Sequence, residues 1–331
     1  MKIFVSALLL ICIAKTASSD EVSELLNSGL KELEIEKGSE NLCVITDATH
    51  VRSRNETTES IIDTIQEATG CTIGRGNLLF LHRTSNYPLK IILFRKDTNQ
   101  YVSISHDGKQ AKSVKLEADP EQAFESRPWA KLQSGLGASD AFSVITLANA
   151  WAAGAPYDFF KCVEFHNHIC PGIISGYLIA KYIQKVFPVP VGGKHTFISS
   201  PVWCKDDAIQ VLLGLTPGKK SLFVKGLTDA QLKKLPEGRV AGILAIEAKN
   251  GSDARAVVLK YEGKDLVGEE ISNPNYRKFR TVLAYLPYLD TPEAFVTVAK
   301  EYRIRVDQVQ TLTAAGVNPY EELGYVKVMS N

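Results

Sequence analysis

Two histidines and a cysteine occupy alternate positions in the stretch VEFHNHICPGIISGYLIAKYI, residues 163–183, and a Pro-Gly step follows the cysteine. If the backbone is extended here, His166, His168 and Cys170 point to the same side, because side chains alternate across a strand. Imidazole and thiolate are ligands that zinc and related transition metals take in proteins. The spacing therefore predicts a metal site.

A second cysteine, Cys204, lies in WCKDDAIQ, where the next helix is predicted to begin. Asp206 and Asp207 follow it and are candidates to support a histidine ligand, because carboxylates often hold the second ring nitrogen of such a histidine. The same aspartates would also suit a helix N-terminus. The predicted ligands of zinc, or of another divalent transition metal, are His166, His168, Cys170 and Cys204.

The thiol of Cys170 permits two other interpretations. Pro171 favours a helix that begins directly after Cys170, and the positive end of that helix would lower the pKa of the thiol. Cys170 is then the candidate catalytic nucleophile of a thiol enzyme, with His166 or His168 as its base. The third interpretation is structural, a disulfide that joins Cys170 to either Cys162 or Cys204.

Residues 1–19, MKIFVSALLLICIAKTASS, have the pattern of a secretory signal peptide: a lysine, a short apolar run and then small residues. No later segment approaches 18 uninterrupted apolar residues, so the sequence predicts no integral membrane segment. We therefore expect a secreted or periplasmic protein. The formal net charge of +1 and the absence of a long basic run predict no nucleic-acid partner.

An internal repeat organises the rest of the chain. DTIQEATGCTIGRGNL, residues 63–78, aligns without a gap with DAIQVLLGLTPGKKSL, residues 207–222. In both copies a predicted helix and a short β-rich run come before this block, and a predicted hairpin follows it. Within the block, the glycines and basic residues favour a repeated structural turn over a phosphate site.

The repeat predicts an α+β fold of two related domains, each a mixed sheet packed with helices. The expected boundaries are a degenerate repeat at 20–125, a linker at 126–145 and a metal-site domain with a C-terminal helical extension at 146–331. In that extension, TPEAFVTVAKEYRIRV, residues 291–306, predicts a helix with Pro292 at its first position. The first copy has nothing that corresponds to His-x-His-x-Cys, so only the second copy is expected to hold the full site.

The motif FHNHICPGIISGY, followed by C-x-x-D-A-I-Q-x-x-x-G-x-T-x-G-K, resembles the FmdE family, which takes its name from a component of formylmethanofuran dehydrogenase. The resemblance spans residues 165–222, with a weaker copy at 43–78. It implies a compact α+β fold and a divalent metal, commonly zinc, near the motif. The chain lacks the Cys-x-x-C pair of the C-terminal zinc ribbon that many members carry, and its leader argues against a place in the cytoplasmic dehydrogenase complex.

Two classes of function follow from this resemblance and from the residues. One is an exported metal-binding or metal-carrying protein. The other is a metal-dependent or thiolate-dependent enzyme that acts on a small molecule, for which the sequence names no substrate. A homodimer is compatible with either class.

Overall fold

The computed structural model of the protein describes residues 17–53, 56–236, 239–249 and 251–326. The chain divides into two compact units, Met1–Glu117 and Ala118–Asn331. Most of the predicted signal peptide, residues 1–19, lies outside the described residues. Within the described part of the chain, no helix combines the length and the apolar character needed to cross a membrane.

The first unit is a five-stranded sheet with two helices and a short two-stranded ribbon. Its elements are α1 (Ala17–Glu32), β1 (Leu42–Thr46), β2 (Arg52–Ser53), β3 (Glu56–Thr57), α2 (Ser60–Thr69), β4 (Leu78–Phe80), β5 (Leu89–Arg95), β6 (Gln100–His106) and β7 (Ala111–Glu117). Apolar residues of α1 recur at helical spacing, and Val22, Leu26 and Leu30 are buried in the core of this unit.

The second unit repeats this plan and adds helices before and after it. Its elements are α3 (Ser126–Leu136), α4 (Ala141–Ala152), α5 (Tyr157–His166), α6 (Pro171–Val186), β8 (Lys194–Ser199), α7 (Lys205–Leu213), β9 (Leu222–Val224), α8 (Asp229–Leu232), β10 (Arg239–Glu247), β11 (Asp253–Tyr261), α9 (Pro274–Tyr285), β12 (Val296–Arg305), α10 (Val306–Thr313) and α11 (Pro319–Glu322). Two short 3-10 turns, Leu286–Tyr288 and Pro292–Ala294, lie between α9 and β12.

The two sheets have the same topology. In the first the strand order is β4-β1-β5-β6-β7, and in the second, read from the corresponding edge, it is β9-β8-β10-β11-β12. The edge pair is parallel in both sheets, and the other neighbours are antiparallel. The predicted α+β fold of two related domains is confirmed.

The repeated sequence block forms the same turn twice. Gly70 ends α2 and Gly214 ends α7, each in the left-handed conformation that glycine adopts without strain. Arg75 Nη1 donates to the carbonyl oxygen of Gly70, and Lys219 Nζ donates to that of Gly214, both at 2.9 Å. These basic side chains cap the carboxyl ends of helices, which agrees with a structural role for the block.

Two predictions about local structure differ from what the chain adopts. Residues 126–145, expected as a linker, contain α3 and the start of α4, and the division between units falls earlier, after Glu117. The helix predicted over residues 291–306 is wrong: a 3-10 turn leads into strand β12. Val296 and Ile304 are buried there, and the pairing of β12 with β11 supplies backbone hydrogen bonds that override the local helix signal.

Candidate metal centre

The two halves of the predicted motif lie on different helices. His166 is the last residue of α5, and Asn167 ends that helix in the left-handed conformation, with φ of 67°. Cys170 is the N-cap of α6, with an extended backbone, and Pro171 is the first helical residue. The extended approach predicted from His166 to Cys170 is therefore wrong for its first residue, because His166 belongs to a helix.

Helices α6 and α7 approach each other closely and bring Cys204 to this point. A Cβ atom added at Gly176 would lie 2.1 Å from the carbonyl oxygen of Lys205, so only glycine permits this contact. Gly172 lies one turn earlier on the same face of α6, and a Cβ there would lie 2.8 Å from the Cβ of Cys204. The two glycines therefore let the sulfur of Cys204 sit beside Cys170.

Three of the predicted ligands converge. One ligand atom from each of His166, Cys170 and Cys204 lies within 4.8 Å of the other two. The distance from Cys170 Sγ to His166 Nε2 is 3.6 Å. Tetrahedral zinc with ordinary Zn–S and Zn–N bond lengths requires about 3.6 Å between a sulfur and a nitrogen ligand. The spacing of this pair therefore fits a shared cation.

The other nitrogen of the same imidazole is held by a carboxylate. His166 Nδ1 lies 2.6 Å from Asp207 Oδ2 in the first turn of α7. A proton on Nδ1 would be donated to this carboxylate, which leaves the lone pair of Nε2 directed at the site. The arrangement is the carboxylate–histidine pair that orients metal ligands in proteins.

The remaining predicted residues lie elsewhere. The imidazole of His168 is half-buried and packs against that of His166, with 4.3 Å between ring centroids, and it is not in the group of three. Burial lowers the pKa of His168, which favours its neutral form. Asp206 does not contact His166; its Oδ1 accepts hydrogen bonds from Ser199 Oγ at 2.5 Å and Lys205 Nζ at 2.7 Å.

Burial raises the pKa of the Cys170 thiol to about 11, and the nearby sulfur of Cys204 adds to the rise. The backbone N–H groups of Gly172 and Ile173 act in the opposite direction, but more weakly than burial. The helix N-terminus therefore lowers this pKa as predicted, but burial outweighs it and the net shift is upward. A bound cation would favour the thiolate at such a site, because a coordinated thiol loses its proton.

All five cysteines that the structure describes are free thiols, including both partners of each predicted disulfide. Cys162 is buried in α5, and its sulfur lies 3.4 Å from the carbonyl oxygen of Asp158. It is not in the three-residue group.

Sequence reasoning missed a buried lysine beside the site. Lys205 is fully buried, and its ammonium donates to Ser199 Oγ at 2.6 Å and to the carbonyl oxygen of Pro201 at 2.9 Å, besides the bond to Asp206. The same ammonium lies 4.1 Å from the ring centre of Trp203. This network fixes the start of α7, and hence the position of Cys204. The glycine pair at 172 and 176, with helical spacing, was the available signal for close packing.

A cleft with a volume of about 550 Å³ is lined by Gly172, the glycine that adjoins Cys170 and Cys204, although neither cysteine is among its lining residues. Pro171, Gly172 and Ser175 of α6 form one wall together with Trp203, whose indole N–H donates to Ser175 Oγ at 2.9 Å. The rest of the lining comes from the first residue of β10, the last residue of β11, the loop after β11 and helix α9. Gly172 is thus both a wall of the cleft and a neighbour of Cys170 and Cys204.

Comparison with known proteins agrees with this architecture. The family model described as "FmdE, Molybdenum formylmethanofuran dehydrogenase operon" matches residues 25–142 and 165–315, which together make up most of the chain. The second region contains all four predicted ligands. No curated protein matches the chain. The chain therefore belongs to the FmdE family, with two FmdE-like regions in tandem.

Proposed function

We propose that this is an exported protein that binds a divalent transition metal, with zinc as the best fit, through His166, Cys170 and Cys204. The observation that carries the proposal is the convergence of these three side chains, in which His166 points Nε2 at Cys170 while Asp207 holds Nδ1. Two sulfurs and one imidazole are a donor set that suits zinc, whereas magnesium and calcium prefer oxygen. Export is supported by the leader-like sequence at residues 1–19.

The number of protein ligands bears on what the metal does. Structural zinc sites are closed by four protein ligands, whereas catalytic sites have three and leave one position open. His168 lies against His166 rather than in the group, so we assign it a supporting role in shaping the site. The predicted four-ligand set would require the His168 ring to reorient.

Metal retention tests the proposal. Protein loaded with zinc and then dialysed against buffer should retain about one equivalent, measured by elemental analysis. Cys170→Ser should lose most of this metal, because a hydroxyl replaces the soft thiolate ligand. Cys162→Ser is the matched control: it changes another buried cysteine of the same unit and should retain zinc as wild type does. Equal retention by both variants would refute the proposal.

A metal-dependent enzyme is the second candidate. It is favoured by one observation, the cleft of about 550 Å³ whose wall at Gly172 adjoins both sulfurs. Cavities of this size are typical of small-molecule sites. A protein that only stores or carries a metal has no need of such a cleft.

A further inference from the structure

The positive and negative charges that line the cleft at Gly172 are unequal in number. Arg239, Lys264 and Arg277 contribute three positive charges, and Glu262 and Asp265 contribute two negative ones. Asp265 is paired with Arg277, since its Oδ2 lies 3.2 Å from Arg277 Nη2. Arg239 forms no ion pair within the described part of the chain. A cleft with an excess of positive charge and partly apolar walls concentrates small anions.

Aromatic side chains set the shape of the cleft. Tyr261, Tyr285 and Trp203 line it, and the first two are almost fully buried, so their rings form rigid walls. Tyr285 Oη accepts a hydrogen bond from the backbone N–H of Lys264 at 2.7 Å and donates to the carbonyl oxygen of Lys264 at 2.9 Å. This pair of bonds fixes the loop that carries Lys264, so the loop enters the cleft already ordered.

The two copies of the fold differ in the connection that carries Lys264 and helix α9 into the cleft. In the first unit, β6 and β7 are joined by a tight turn between His106 and Ala111. In the second unit the corresponding connection, from β11 to β12, is a long segment that contains α9 and supplies Lys264, Asp265 and Arg277. The copy that has the three convergent ligands is therefore also the copy that has an added wall, as expected if the two features serve one ligand.

We propose that this cleft binds a small organic anion, with its charged group held by Arg239 and Lys264 and its carbon skeleton against Trp203 and Tyr261. A guanidinium and an ammonium suit a carboxylate or a phosphate, the two anionic groups that they hold most strongly. The ligand would extend along the wall at Gly172 toward the sulfurs. A role of this anion as a substrate rests on the second proposed function, the metal-dependent enzyme. Binding of the anion does not require the metal.

Binding of matched probes to the metal-free protein tests the inference. Benzoate and its neutral isostere benzamide differ only in charge and hydrogen bonding, and phenyl phosphate separates phosphate recognition from carboxylate recognition. Ligand-observed NMR gives the dissociation constant of each probe. We expect one of the two anions to bind about tenfold or more tightly than benzamide, the difference expected for a charge-assisted hydrogen bond.

Variants assign the binding to the cleft. The double variant Arg239→Gln/Lys264→Gln should bind the preferred anion about as weakly as benzamide. Lys249→Gln, an exposed lysine beyond the other end of β10, is the control and should bind as wild type does. Equal binding of all three probes, or undiminished anion binding by the double variant, would overturn the inference.

The same protein preparation separates this inference from the proposed function. Anion preference without retention of zinc would refute the metal-binding function and leave the anion site standing. Retention of zinc without anion preference would refute the anion site and leave the metal-binding function standing.

Discussion

The carboxylate of Asp207 and the imidazole of His166 are joined by a contact of 2.6 Å between Oδ2 and Nδ1. The pair links the C-terminus of α5 to the first turn of α7. It fixes which ring nitrogen is available, because a protonated Nδ1 leaves Nε2 free to face Cys170 at 3.6 Å. One hydrogen bond therefore orients a ligand and ties together two of the three helices that carry the site.

Loss of the Asp207 carboxylate should weaken metal binding. We expect Asp207→Ala to lower zinc affinity about 10-fold to 100-fold, the usual cost of losing a partner of a histidine ligand. Competition with a chromophoric chelator measures this affinity. Asp63→Ala alters the aligned position of the first copy and should leave the affinity unchanged. An Asp207→Ala protein with wild-type affinity would show that the pair has no part in metal binding.

Gly172 should be intolerant of any side chain. The Cβ of Gly172→Ala would lie 2.8 Å from the Cβ of Cys204, so Cys204 must move away from α6 and its sulfur changes position relative to Cys170. We expect a loss of zinc affinity larger than any loss of folding stability. Gly226→Ala, where a Cβ meets no atom within 4 Å, should change neither quantity. Zinc titrations of both variants, with circular dichroism for folding, make the comparison.

Gly176 should control stability rather than chemistry. A Cβ at this position would overlap the backbone of Lys205, which is rigid, so α6 and α7 must separate. Gly176→Ala should lower the free energy of unfolding by about 3 kcal/mol, the upper part of the range for overpacked cores. Gly218→Ala, whose Cβ would approach no atom closer than 4.0 Å, should cost far less. Urea titration gives both values, and equal costs would contradict the close approach of the helices.

The first unit should show a pH dependence that originates at Asp47. Burial raises the pKa of this carboxyl to about 7, although Arg83 Nε lies 3.9 Å away and the backbone N–H of Lys90 donates to it. The folded chain thus keeps a proton that the unfolded chain releases near pH 4. Stability from this group is complete below pH 4 and is lost as pH rises toward 7.

Asp47→Asn removes this titration. We expect the difference in unfolding free energy between wild type and variant to change steadily between pH 4 and 7, in the direction that disfavours the wild type at higher pH. Urea titrations at several pH values measure it. A difference that stays constant across this window would contradict the raised pKa.

Local signals predicted the framework of the site well. Pro171 correctly placed the start of α6, because proline suits the first position of a helix and Cys170 then becomes the N-cap. The aligned blocks correctly placed two equivalent helix-turn-strand units, because the glycines and basic residues perform the same capping in both. These features depend on neighbours in sequence, which a single chain displays.

Other features depend on contacts that are distant in sequence. His168 alternates with His166 in the sequence, yet a left-handed Asn167 turns the chain between them, and only three of the predicted ligands converge. The pKa of Cys170 follows its burial against Cys204, which no local pattern reveals. Strand β12 likewise forms because β11 is available to pair with it.

X-ray absorption at the zinc edge of the metal-loaded protein tests the shared cation most directly. The ligand set of Cys170, Cys204 and His166 predicts two sulfur scatterers at about 2.3 Å and at least one imidazole nitrogen at about 2.0 Å. Cys204→Ser should reduce the sulfur count to one. A shell made only of oxygen and nitrogen, unchanged by that substitution, would show that the three side chains do not bind one metal.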